Sequence, residues 1–257
     1  MSEAFAAGPP GRRGGWPVVI LAALAAANIV VWGGAWALLR PAGPGTGGRA
    51  PPSQSLAAPS PVVSEEQVGS LQPVFATAGG VRVRLVSAEP VAIAFHEASY
   101  DDALALRPTG VCGRCRNPTK FTPPPPRDAT LRYLVTHSRG RDTPATSAAD
   151  LVLPRGTPVL SPVDGTVTRI RRYRLYRAYP DMRIEIRPDT APRRRVVLLH
   201  LGAVPVRRGD RVVASTTVLG VPRRLPFQSQ VDRYVRGRYP HVHLEVKDAA
   251  AARQATV

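Results

Sequence analysis

The chain has 257 residues, with 35 Lys plus Arg against 18 Asp plus Glu and a formal net charge of +17. That length suits one substantial domain or two small ones, and the charge favours anionic partners such as acidic phospholipid, cell-wall polymer or nucleic acid. No nucleic-acid-binding motif accompanies the arginines, which argues against the last of these. Only two of the 35 basic residues are lysines, Lys120 and Lys247, so a GC-rich coding bias accounts for part of the basicity.

Residues 1–16 carry Arg12 and Arg13 and are expected to lie in the cytoplasm. Residues 17–39 (PVVILAALAAANIVVWGGAWALL) contain no charge. At about 1.5 Å per residue they span a bilayer core of about 30 Å as a single transmembrane helix. The two-Arg flank favours an inside N-terminus, so the remainder is extracytoplasmic. A cleaved signal peptide is the alternative, because Ala35-Trp36-Ala37 reads as an A-x-A site; the apolar run is longer than a usual h-region. Either reading exports the body of the protein. Residues 40–71 are rich in Pro, Gly, Ser and Ala, have no apolar period and read as a linker.

From Gln72 the pattern changes. Val74 to Thr77, a Gly79-Gly80 turn and the alternating run VRVRLV read as a hairpin, and Pro90 to Phe95 as a third strand. Residues 72–128 are expected as a small β-rich unit, bounded by the four prolines Pro123 to Pro126. His96 follows the third strand, is isolated in sequence and reads as structural. Cys112 and Cys115 form a C-x-x-C. In an exported chain the pair reads as a disulfide, because a redox motif needs a thioredoxin-like context and a zinc site needs two further ligands.

Residues 129–248 hold short β-branched runs (LRYLVT, TPVLSPV, GTVTRI, MRIEI, RVVLLHL, DRVVAS, HVHLEV) separated by glycine turns. No helical period exceeds two turns, so this region is expected to be all β. Residues 249–257 are a tail, read as a short helix or a frayed end. In the last strand, alternation puts His241, His243 and Glu245 on one face and Val242, Leu244 and Val246 on the other. Two imidazoles facing a carboxylate from elsewhere are a means of presenting a small cation to a substrate.

Several blocks stand in order: Asp150 followed by LVLPRGTPVLSPVDGTV, then VVLLHL ending at His200-Leu201, then VRRGDRV, then Val218-Leu219-Gly220, then the H-x-H of His241 and His243. Their order and spacing resemble the lysostaphin/LytM-type zinc peptidases that cut peptidoglycan cross-links, over about residues 130–248. The resemblance implies a mostly β fold, an antiparallel β-sheet sandwich of the duplicated-hybrid-motif type. It also implies a zinc cofactor. In that family zinc is held by the His and Asp of H-x-x-x-D and by the second His of H-x-H. By position, Asp150 and His243 are the expected metal ligands, and His200 and His241 the expected catalytic pair, which assists water and stabilises an oxyanion.

The chain departs from the pattern at the first ligand, because Thr146 stands four residues before Asp150. Threonine is not a usual zinc ligand, and a catalytic zinc ordinarily keeps three protein ligands and one open position. His137 is a substitute that a loop could fold back. A second departure is the stretch between Gly220 and His241 (VPRRLPFQSQVDRYVRGRYP), longer than in the family. With RIRRYRLYR at 169–177 it forms either a clamp for an anionic glycan or peptide carboxylate, or solvated strand faces.

The resulting expectation is a membrane-anchored, exported protein directed at peptidoglycan or another anionic wall polymer. It is either a zinc endopeptidase or a degenerate binding and regulatory module that acts on another cell-wall hydrolase. A non-catalytic carrier or scaffold is the rival class. A biotinyl or lipoyl carrier needs a lysine on an exposed hairpin, and neither Lys120 nor Lys247 is so placed.

Overall fold

A computed structural model describes residues 70–249; the expected membrane span at 17–39, most of the linker and the end of the tail lie outside the described residues. Among the described residues no helix is long and apolar enough to cross a membrane. The first hairpin pairs β1 (Val74–Ala78) with β2 (Val81–Arg84). Then come β3 (Ala92–His96), β4 (Arg107–Pro108), β5 (Val111–Cys115) and β6 (Arg132–Val135). Next are β7 (Ala148–Val152), β8 (Val159–Leu160), and the long pair β9 (Gly165–Leu175) and β10 (Tyr179–Pro188). The chain continues through β11 (Arg194–Leu199), β12 (Leu201–Gly202), β13 (Arg211–Val212) and β14 (Val218–Pro222). A single 3-10 turn at Val231–Arg233 precedes β15 (His241–Asp248).

Nine strands form one sheet in the order β13-β9-β10-β11-β15-β7-β3-β6-β5, flanked by two three-stranded sheets, β2-β1-β4 and β12-β14-β8. Pairing is antiparallel throughout except where β6 runs parallel to β3 and β5. The mostly β architecture is therefore the expected one, but the division at the proline run is not. Residues 72–128 contribute β3 and β5 to the same sheet as β7 and β15, and their apolar side chains enter the same core. The prolines 123–126 cross between β5 and β6 within one body. A sheet can accept strands from distant chain segments because its ladder bonds are intersegmental, so a turn-rich stretch does not by itself end a domain.

The sheet has one apolar and one polar face. Ile93 and Phe95 of β3, Leu151 of β7, Val242, Leu244 and Val246 of β15, Val196 and Leu198 of β11 and Ile184 and Ile186 of β10 all lie in one buried cluster. Phe75, Val81 and Val83 of the first hairpin cover it, with the Phe75 and Phe95 rings 5.9 Å apart and Tyr133 edge-on to Phe95 at 5.3 Å. Each fully buried Val, Leu, Ile or Phe contributes about 1.5–3 kcal/mol, so this face fixes the register. One slip would carry every side chain to the wrong side. Gly165 is required where β9 meets β10, because a Cβ there would lie 2.3 Å from the Arg187 carbonyl oxygen.

Candidate metal centre

The register that buries the apolar face sets the functional groups on the other. His243 of β15 stands directly opposite Asp150 of β7. On the other side of β7, Ala94 of β3 stands opposite Asp150 and His96 lies two residues further along. That diagonal position is within reach of a long side chain across a sheet. His96 Nε2 and His243 Nδ1 each lie 3.0 Å from Asp150 Oδ1. One ligand atom from each of His96, Asp150 and His243 falls within 4.8 Å of the others.

The second nitrogen of each imidazole is committed elsewhere. His96 Nδ1 lies 2.9 Å from the Glu97 carbonyl oxygen and must donate to it, which leaves the Nε2 lone pair facing Asp150. His243 Nε2 lies 3.0 Å from Glu245 Oε1, and donating there aims Nδ1 at Asp150. Metal-binding histidines are oriented by this kind of outer partner, a carbonyl or a carboxylate. His96 Nε2 is also a buried nitrogen without a satisfied hydrogen bond, although it lies close to Asp150. Two imidazole nitrogens and a carboxylate oxygen converging within 4.8 Å fit a divalent cation of the zinc type, which would take the place of the proton that His243 shares with Asp150.

Electrostatics agree with this donor set. Burial raises the Asp150 pKa, but the neighbouring His96 and His241 and the hydrogen bond from His243 hold it well below the usual carboxylate range. Burial lowers His96, and lowers His241 to about 4, so both are neutral at physiological pH. Burial also opposes charge on His243, yet its bonds to Asp150 and Glu245 raise it to about 9. Two carboxylates around one imidazole thus attract a positive charge to this point, where a metal ion would replace the Nδ1 proton.

His200 and His241 adjoin this cluster. Their rings meet edge to face with centroids 5.2 Å apart, and His241 Nε2 is 3.9 Å from Asp150 Oδ2. His200 sits at the break between β11 and β12 with a φ of 68°. For a non-glycine residue this left-handed conformation is costly and concentrates at functional sites. Its Nδ1 is 2.6 Å from Asp181 Oδ2, and the Tyr173 hydroxyl donates to the same oxygen at 2.6 Å. Asp181 therefore fixes His200 with Nδ1 protonated and Nε2 free to take up a proton.

All four expected site residues, Asp150, His200, His241 and His243, come together. The substitute His137 does not join them, nor does Thr146, which stands where the family has its first ligand. Thr146 lies in the buried turn before β7, where its carbonyl accepts from the Leu106 N–H at 2.9 Å. His137 is exposed and hydrogen-bonds through Nδ1 to the Tyr234 hydroxyl. The third imidazole is His96, read from sequence as structural; the reading is corrected because β3 is the sheet neighbour of β7. Alternation from Phe95 already put His96 on the non-core face, but strand order is not written in local pattern. Asp181 and Tyr173 were missed as supporting groups, although alternation in DMRIEI signals a polar face; Glu245 lies on the face that alternation gave it. Cys112 and Cys115 are joined in a disulfide along β5.

A groove of about 750 Å³ opens over the cluster. One wall is the tip of the β9–β10 hairpin and the other is the loop after β14. They are joined by rings: Phe227 packs on Tyr176 at 5.4 Å and on Tyr179 at 5.1 Å. The two Arg-rich segments singled out from sequence thus both line the groove, through Arg171, Arg174, Arg177 and Arg233 among others.

No protein-family model and no curated protein matches the chain. Among solved structures it resembles LytU, at 23% identity over 45% of this chain and 70% of that one, with a TM-score of 0.34. It also resembles the catalytic domain of the antimicrobial peptidase lysostaphin from Staphylococcus simulans, at 19% identity over 38% of this chain and 64% of that one, with a TM-score of 0.29. A third likeness is to the catalytic domain of the prophage-encoded M23 protein EnpA from Enterococcus faecalis, at 18% identity over 44% and 76% of the two chains, with a TM-score of 0.31. The chain spans less than two thirds of the lysostaphin domain and each likeness covers less than half of this chain, so its chemistry is derived from its own side chains.

Proposed function

We propose that the chain is a zinc-dependent peptide hydrolase of the cell envelope, acting on peptidoglycan cross-links from a membrane anchor at 17–39. The observation that carries this reading is the convergence of His96, Asp150 and His243, each imidazole held by a separate outer partner. The alternative of a degenerate regulatory module rested on the loss of a ligand at Thr146; His96 offers a third imidazole beside Asp150 and His243, which supports the hydrolase reading. Peptidoglycan enters through the resemblance of the sequence blocks, and the anchor through the uncharged run.

His96, Asp150 and His243 would hold the ion, which when bound supplies Lewis acidity toward water and a peptide carbonyl. His200, held by Asp181, accepts a proton at Nε2 and returns it to the departing amine. His241 is neutral and can donate a hydrogen bond to oxygen charge that develops on the carbonyl, and it stands beside Asp150 without being one of the three ligands. The test pairs zinc analysis of the full chain with dye release from purified peptidoglycan. One zinc per chain and release that stops on chelation and returns with zinc are expected. Stoichiometric zinc without release would leave a binding module.

A further inference from the structure

Among the described residues the groove presents seven arginines but only two carboxylates, Asp150 and Glu245, and both of these are engaged with histidines. Most of the arginines are exposed at the mouth, where solvent screens them. Arg139 differs. It is half-buried beside the metal cluster, its Nε donates to Gln230 Oε1, and no carboxylate pairs with its guanidinium. Burial lowers its pKa, with the Asp150 carboxylate acting in the opposite sense. The carboxylates of Asp150 and Glu97 attract this guanidinium without pairing directly with it among the described residues, and its two terminal nitrogens form a fork that matches a further carboxylate.

The position of Arg139 is enforced. Glu97, next to His96 in the chain, is buried and accepts from the backbone N–H of Arg139 at 2.7 Å and of Arg141 at 3.1 Å. It also accepts from Ser138 Oγ at 2.6 Å and Lys120 Nζ at 3.0 Å. Four donors converging on this one buried carboxylate fix the loop that carries Arg139. Gln230, at the start of the 3-10 turn, holds Arg139 from the opposite groove wall while also accepting from Thr136 Oγ1 at 3.0 Å. One dipeptide, His96-Glu97, therefore sets both the third imidazole and the loop that carries the guanidinium.

Resting on the peptide-hydrolase reading, we propose that Arg139 is the receptor for a free carboxylate on the substrate peptide, placed next to the bond to be cut. The substrate class is then an anionic peptide, and neutral or amidated peptides are discriminated against. Arg171, Arg177 and Arg233 raise the local concentration of such peptides, while Arg139 makes the directed pair.

The test is equilibrium binding by calorimetry to the zinc-loaded full chain. The probes are two soluble peptidoglycan stem peptides identical except that one carries free carboxylates and the other their amides. The acid is expected to bind about tenfold or more tighter, the value of a charge-assisted pair over a neutral one. Arg139→Gln is expected to abolish that preference, Arg139→Lys to restore part of it, and Arg82→Gln, an equal charge change on the exposed side of β2, to leave it intact. Equal binding of acid and amide, absent binding of both, or a preference that survives Arg139→Gln would each overturn the proposal. An Arg139-dependent preference without cleavage of either peptide would sustain the carboxylate receptor and sink the hydrolase reading instead.

Discussion

At the level of single residues, the proposed zinc chemistry depends most on His96. Loss of its imidazole in His96→Ala leaves one histidine and one carboxylate, and zinc affinity is expected to fall about 100-fold or more, beyond the ~10–100-fold that outer partners command. Glu245→Gln keeps an acceptor for His243 Nε2–H but removes the charge, so a decrease of about 10–100-fold is expected from the same chelator-competition titration. His200→Ala should act in the opposite pattern: zinc retained, and hydrolysis reduced by about 100- to 10,000-fold, the usual range for a general acid–base. A His200→Ala protein that loses its zinc would place that residue among the ligands. Much of this site was legible in the sequence. The H-x-H alternation, Asp150 and the His before Leu201 could be aligned by block order. His96 could not, because a ligand supplied by a neighbouring strand is specified by pairing across 54 residues of chain and leaves no spacing to read.

At the level of elements, the β9–β10 hairpin carries visible strain. Its tip places Tyr176 at φ 49° and Arg177 at φ 62°, the two left-handed positions that a tight hairpin turn favours with Asn or Gly. Arg177→Gly removes a conformational cost of about 1–2 kcal/mol and adds unfolded-chain entropy of about 0.5–1 kcal/mol. The net expectation is a rise in stability of up to about 1 kcal/mol, read in denaturant unfolding, with a weaker grip on anionic peptide. Phe227→Ala should instead free the hairpin from the opposite wall. The two ring contacts it removes are worth about 0.5–1.5 kcal/mol each, and amide exchange over 171–179 should accelerate while exchange in β15 stays unchanged. The arginine and tyrosine content of both segments was plain in the sequence. That they meet was not, because the pairing of Phe227 with Tyr176 and Tyr179 joins loops about 50 residues apart.

For the molecule as a whole, one sheet and one core unite segments that the sequence pattern divides at the proline run. Periodicity found the strands, since alternation is local. It gave no strand order, and the insertion of β3 beside β7 is what completes the metal centre. A fragment of residues 129–248 keeps every motif block yet loses β3, and with it His96 and the ladder partner of β7. Such a fragment is expected to expose Ala149 and Leu151, to unfold without a cooperative transition and to bind no zinc, whereas residues 70–249 are expected to unfold cooperatively and to bind zinc. Cooperative unfolding and zinc binding by the shorter fragment would show that the first segment is dispensable.

The proposed function depends on which side chains surround the ion. X-ray absorption at the zinc edge of the zinc-loaded full chain reads this directly. It should show two imidazole nitrogens at about 2.0–2.1 Å and one carboxylate oxygen at about 2.0–2.2 Å, with one imidazole missing in His96→Ala. A spectrum with a single imidazole, or one that His96→Ala leaves unchanged, would contradict the site built on His96, Asp150 and His243.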